Sequence, residues 1–178
     1  RDPAFVAGLK AHAEEQALRV KDHPALRIWG VGNEVLTEMP REMYPAFARA
    51  FLEIIDQVHE VDANHPVIYR EAEDRFVPAI RRFLERRGER PWFFYGMNIY
   101  SLELERVLDE WPHNEFYRPL FVTEFGAEPD WPGGRSLNYV GMWRSIRAHP
   151  DFALGGAPYV WTTEGPEPVD KKWGLMDG

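Results

Sequence analysis

The sequence predicts an α/β fold of parallel strands alternating with helices, in the (β/α)8 barrel pattern. Three observations carry this. Five short apolar runs rich in Val, Ile, Phe, Tyr and Trp each follow a proline. Stretches of helical period lie between them. Polar residues then appear at the C-terminal end of run after run, where a barrel builds its site.

The strands come first. Pro24 leads into ALRIWGVG, Pro66 into VIYR, Pro91 into WFFYGMN and Pro119 into LFVTEFG, and Pro150 precedes ALGGAPYVW by a few residues. Proline stops a helix and extends the residue before it, and short bounded apolar runs of this kind read as buried parallel strands. The helices follow from spacing. Phe5, Leu9, Ala13, Ala17 and Val20 predict a helix from about Pro3 to Val20. Phe47, Phe51, Ile54, Ile55 and Val58 predict a strongly amphipathic one over Tyr44 to Val61. Val77, Ile80 and Leu84 predict a third over Asp74 to Arg87, with a shorter candidate at Leu102 to Leu108. The last spans Ser136 to Arg147, with Ser136 placed to cap it.

Helix, four strand–helix repeats and a final strand imply parallel strands joined by helical crossovers. An open doubly wound sheet is the alternative. GVGNEV at 30–35 is not a dinucleotide-binding glycine loop, because Val35 stands where a third glycine belongs. The strand-end residues are Asn33 with Glu34, Arg70 with Glu71, Asn98 with Tyr100, Glu124, and Trp161 with Thr162. A whole barrel takes about 250 residues. Five strands in 178 residues, opening on a helix, lead us to expect one partial catalytic domain over 1–178. It would carry strands four to eight, without the first three strands and the final helix.

Charge and composition narrow the function. The net charge of −8 comes with no run that reads as a nucleic-acid or anionic-membrane patch. No cysteine is present, so neither a disulfide framework nor thiolate chemistry is available. No stretch is long and apolar enough to span a bilayer. His23, His65 and His149 each precede a proline just before a strand, at the rim opposite the carboxylates, which reads as structural rather than metal-binding. The basic run RRFLERRGER at 81–90 fits a solvated helix face and its C-terminus.

Glu34 and Glu124 remain. A carboxylate ending an apolar strand is costly without partners, and here two strands that are not neighbours each end in one. A pair of carboxyl groups facing across a pocket suits glycosidic bond cleavage, and a separation of about 5–5.5 Å goes with retention of configuration. Structural alternatives stand beside this. Glu34 fits a helix N-terminus, Glu124 an ion pair with an Arg, and Arg70 with Glu71 either a pocket wall or a surface ion pair. Trp131, Glu164 and Glu167 lie in loops that either shape subsites or are simply solvated.

GVGNEV at 30–35, YGMNIY at 95–100, FVTEFG at 121–126 and PYVW at 158–161, in that order, resemble successive strand ends of the retaining (β/α)8 glycoside hydrolases. The flank KDHPALRIWGVGNE, the helix ending in DANHPV and the terminal KKWGLMDG make the chain most similar to the family 2 β-glycosidase barrels and their family 5 relatives. The resemblance implies Glu34 as acid/base and Glu124 as nucleophile. It also implies that Asn33, Asn98, Tyr100 and Trp161 bind substrate, with Asn33 on the sugar 2-hydroxyl, Tyr100 donating to Glu124 and Trp161 flooring the sugar subsite. It implies no cofactor and a carbohydrate substrate. The family also places an Arg on strand two, which this chain lacks, so the chain alone is expected to be inactive and to need the remaining barrel from the same or a second chain. A carbohydrate-binding pseudoenzyme or a structural half-barrel is the alternative from another class, and an unrelated enzyme on an open sheet is a third.

Overall fold

The computed structural model describes residues 2–72, 74–85, 88, 90–114, 118–162 and 173–176. Its elements follow the predicted alternation. They are α1 (Pro3–Val20), β1 (Trp29–Asn33), α2 (Val35–Glu38), α3 (Tyr44–Val61), β2 (Val67–Ala72), α4 (Val77–Glu85), β3 (Phe93–Ile99), α5 (Leu104–Glu110), β4 (Leu120–Phe125), α6 (Gly134–Ala148) and β5 (Ala153–Pro158). Short 3₁₀ turns at Arg41–Met43 and Trp111–His113 adjoin α3 and α5. Hydrogen-bonded strand order follows chain order, β1-β2-β3-β4-β5. The β1/β2 and β4/β5 pairs are parallel, as crossover helices require.

The chain forms two compact units. One comprises Arg1–Glu71 and Arg75–Tyr95, the other Ala72–Asp74 and Gly96–Gly178. In the first, the apolar stripe of α3 (Phe51, Leu52, Ile55, Val58) is buried together with Tyr69 of β2, Phe93 of β3, and Ile80, Phe83 and Leu84 of α4. Phe51 is its hub. The ring meets Phe47 at 5.6 Å, Tyr69 edge-on at 5.1 Å and Phe93 edge-on at 5.8 Å, separations at which aromatic pairs attract. The Arg90 guanidinium, whose side chain is 6% exposed, is held by both oxygens of Asp56 at 2.7 Å each.

In the second unit, Leu104, Val107 and Leu108 of α5 are buried with Trp111, with Leu120, Val122 and Phe125 of β4, and with Tyr139, Met142 and Ile146 of α6. The Trp111 indole donates to the Arg118 carbonyl at 2.8 Å, which satisfies its polar edge.

Several boundaries differ from the expectations. β1 begins at Trp29 rather than soon after Pro24, and most of it is solvent-exposed rather than buried. It is the first strand of the order and has a neighbour on one side only. α1 has the predicted bounds, set by Asp2 capping the Ala4 N–H at 2.9 Å and by Pro3 in the first turn. Of its apolar series only Ala17 is buried, while Phe5 is 66% exposed. α6 starts earlier than Ser136, with Gly133 at the cap position in a left-handed conformation, so Ser136 lies inside the first turn. α4 begins at Val77, three residues later than predicted. β5 ends at Pro158, so Trp161 and Thr162 follow the strand rather than close it. Glu164 and Glu167 lie outside the described residues, as do Arg86, Arg87 and Glu89 of the basic run. Among the described residues no helix is long and apolar enough to cross a membrane.

Candidate active site

Asn33 closes β1, and Glu34 follows it directly. The chain leaves the strand through two left-handed residues, Gly32 at φ 77° and Glu34 at φ 50°. Glycine holds such a conformation at no steric cost, whereas Glu34 needs support. The Glu34 N–H donates to the Arg70 carbonyl on β2 at 2.9 Å. The Arg70 Nε donates to the Gly32 carbonyl at 3.2 Å. Glu34 occupies the N-cap position of α2 but makes no side-chain capping bond. That position is also the one the structural alternative gives this residue, a carboxylate at a helix N-terminus.

Glu71 does not line a surface. It is 0% exposed and accepts hydrogen bonds from the Leu36 N–H at 2.9 Å, the Thr37 hydroxyl at 2.9 Å and the Tyr69 hydroxyl at 2.6 Å. Of the two readings for Arg70 with Glu71, a pocket wall or a surface ion pair, neither describes Glu71, which stands in a buried polar cluster. Burial and the Glu71 carboxylate push the Tyr69 phenol far above its ordinary range, so it stays a donor.

In the second unit Glu124 is the next-to-last residue of β4 and is half-buried. The Tyr100 hydroxyl, one residue past the end of β3, donates to Glu124 Oε2 at 2.6 Å. Asn98, inside β3 and 2% exposed, accepts from the Thr123 hydroxyl at 2.6 Å. Two adjacent strands are thereby tied through side chains beside Glu124. Tyr100 is flanked by the ring of Trp173 at 4.7 Å, inclined at 63°, and by that of Tyr159 at 5.9 Å, near-perpendicular at 84°. Gly126 permits this arrangement. A Cβ there would stand 2.9 Å from Trp173 Cε3 and from the Tyr100 ring.

Trp173, Tyr159 and Tyr139 were not singled out by sequence reasoning. The Tyr139 hydroxyl on α6 donates to the Trp173 carbonyl at 2.8 Å and contacts the Tyr159 carbonyl. Segment 173–176 is also laid along 160–162 by backbone bonds, Val160 N–H to Trp173 O at 3.1 Å and Met176 N–H to Trp161 O at 3.0 Å. The motif KKWGLMDG was the available signal for Trp173. Tyr139 had none, since it sits on an ordinary helix face. Trp161 is 69% exposed.

The three His-Pro histidines have local partners. His65 Nδ1 lies 2.7 Å from Asp62, His149 Nε2 lies 3.0 Å from Asp109, and His23 Nδ1 accepts from the Ala25 N–H at 3.1 Å. Among the described residues no group of three or more His, Cys, Asp or Glu is placed to hold a metal ion.

Comparisons with known proteins add to this geometry. The family model described as "Glycosyl hydrolases family 2, TIM barrel domain" matches residues 1–149. The β-glucuronidase of Sus scrofa is 28% identical over 130 residues, which is 68% of this chain and 19% of that protein. A Bacteroides uniformis β-glucuronidase superposes with a TM-score of 0.76 at 15% identity, over 99% of this chain and 24% of that one. A β-galacturonidase from Eisenbergiella tayi, bound to galacturonate, gives 0.72 at 19% identity, over 99% of this chain and 35% of that one. At such identities the structures speak for the fold, a TIM-barrel α/β domain. The chain spans about a fifth to a third of the length of these relatives.

Proposed function

The chain belongs to family 2 of the glycosyl hydrolases, in its TIM-barrel domain, and from this premise we propose that the complete domain hydrolyses β-glycosidic bonds with retention of configuration. In this reading residues 1–178 supply part of one catalytic barrel. Glu124 attacks the anomeric carbon as Glu34 gives its proton to the departing glycosidic oxygen. The C–O bond breaks and a glycosyl ester of Glu124 forms. Glu34, now ionised, takes a proton from water, whose oxygen attacks the same carbon and releases both the sugar and Glu124.

One observation carries the nucleophile assignment, the 2.6 Å hydrogen bond from Tyr100 to Glu124. A donor at that distance stabilises the ionised carboxylate and fixes its direction of attack. In this reading Asn33 hydrogen-bonds the sugar 2-hydroxyl, a contact that strengthens as the transition state forms. In this reading Asn98 also binds the substrate. Trp161 offers the flat apolar face that suits the C–H face of a pyranose. No cofactor enters these steps.

The test is mechanism-based labelling of the full-length protein with 2-deoxy-2-fluoro glycosyl fluorides, followed by peptide mass spectrometry. The glucuronyl fluoride goes first, because relatives named β-glucuronidase recur among the matches. An adduct on Glu124 is expected, and the sugar that reacts identifies the glycone. A folded, complete protein that no sugar in the panel labels would instead favour a carbohydrate-binding or structural role.

A further inference from the structure

We propose that Glu71 is a positioning residue for Glu34, acting through the short helix α2; this rests on the reading of Glu34 as proton donor. The first N–H groups of a helix have no partner within it, and the residue at the N-cap ordinarily supplies one from its own side chain. Here that residue is Glu34, and it makes no capping bond. Glu71 performs the task from the neighbouring strand. Its Oε2 receives the Leu36 N–H at 2.9 Å, and its Oε1 receives the Thr37 hydroxyl at 2.9 Å. A carboxylate at the end of β2 thus replaces the one at the end of β1 as the partner of α2.

The same strand holds the backbone of Glu34. Its N–H is bonded to the carbonyl of Arg70, the residue before Glu71, and its carbonyl receives the Thr37 N–H at 3.2 Å. Glu34 stands at φ 50° and ψ 29°, a left-handed conformation that residues other than glycine rarely hold without surrounding support. Glu71 is in turn oriented by the Tyr69 hydroxyl at 2.6 Å, and both side chains are 0% exposed. Tyr69 is locked by Phe51 at 5.1 Å. The direction of the Glu34 side chain therefore depends on an ordered chain of contacts running from the core of this unit through Tyr69 and Glu71 to α2.

A misplaced proton donor has a particular kinetic consequence. It slows bond cleavage where the leaving group needs a proton and spares it where the leaving group departs unaided. The experiment measures kcat/KM, which reports the first bond-breaking step, for the full-length protein on aryl β-glycosides of graded leaving-group acidity, using the glycone that the labelling identifies. Glu71→Ala is expected to lower kcat/KM roughly 100-fold on the phenyl glycoside and by no more than about 3-fold on the 2,4-dinitrophenyl glycoside. Thr37→Val removes a single donor without opening a cavity, and it is expected to give the same tilt at roughly 3- to 10-fold. It carries the test if the alanine variant fails to fold. Glu71→Gln, which keeps an acceptor for Leu36 and Tyr69, should restore most of the loss.

Glu34→Ala is measured in parallel. A steep leaving-group dependence in Glu34→Ala, Glu71→Ala and Thr37→Val together supports the inference. Dependence in Glu34→Ala with an equal fall, or none, across the series in the other two overturns it while the proton-donor reading stands. A flat response in Glu34→Ala overturns that reading and this inference with it.

Discussion

The Tyr100 hydroxyl donates to Glu124 Oε2 across 2.6 Å, joining the residue that follows β3 to the end of β4. A hydrogen bond to a charged acceptor contributes about 1.5–3 kcal/mol, which equals roughly 10- to 100-fold in rate if it is made to the reacting group. Tyr100→Phe in the full-length protein should therefore lower kcat by that factor with little change in the melting temperature. Steady-state kinetics with thermal melting checks it, and unchanged kcat would remove Tyr100 from the machinery.

Gly126 sits where a Cβ would press on Tyr100 and Trp173 at 2.9 Å. Both obstacles are rings packed against each other, so neither yields easily. Gly126→Ala should cost about 1–3 kcal/mol through overpacking and also lower kcat by turning Tyr100 away from Glu124. Gly141 on α6 is the control, since nothing stands within 4 Å of its added Cβ. Gly141→Ala should stabilise the protein by about 0.5–1 kcal/mol. Melting curves of the two variants should move in opposite directions.

Gly32 is constrained twice. Its φ of 77° disfavours any side chain, and a Cβ would meet Tyr69 Cε2 at 2.8 Å. Gly32→Ala should destabilise by about 2 kcal/mol or more from backbone and packing together. Because Tyr69 bonds Glu71, the variant should also show the leaving-group dependence expected of Glu71→Ala. A variant that melts early yet keeps a flat leaving-group profile would break that link.

Asp62 is held below its ordinary value of 3.8. Burial alone would raise it. The Trp29 indole at 2.9 Å, His65 at 2.7 Å and the Asn64 N–H at 3.0 Å together outweigh burial by favouring the charged form. A carboxyl whose folded value is depressed stabilises the fold above its unfolded value, and that contribution fades as pH falls through the folded value. The melting temperature of Asp62→Asn should therefore lie below that of the parent at pH 5–7 and approach it below about pH 3. A constant gap across that range would show that Asp62 acts through shape rather than charge.

What was legible in the sequence was what local chemistry decides. A proline before each apolar run marked the strands, and β2 to β4 begin one or two residues after theirs. Helical spacing located α3 to the residue, because an amphipathic stripe has only one periodic solution. The positions of Glu34 and Glu124 at strand ends were legible for the same reason. The exposure of β1 was not, since a strand at the end of the order has the same composition as one in the middle.

Glu71 marks the limit from the other side. Its position beside Arg70 left a pocket wall or a surface ion pair open, and no local pattern distinguishes either from a fully buried hub. Its partners Leu36 and Thr37 stand 35 and 34 residues away. Tyr139 reaches Trp173 across a similar gap of 34. By itself the sequence determined the alternation of elements, the strand ends and the residue types offered there, because these depend on φ restriction and on the period of apolar burial. Only the tertiary structure decided which polar groups meet. A buried donor or acceptor takes whatever partner packing brings within about 3 Å, and packing is a property of the whole fold rather than of any stretch of the chain.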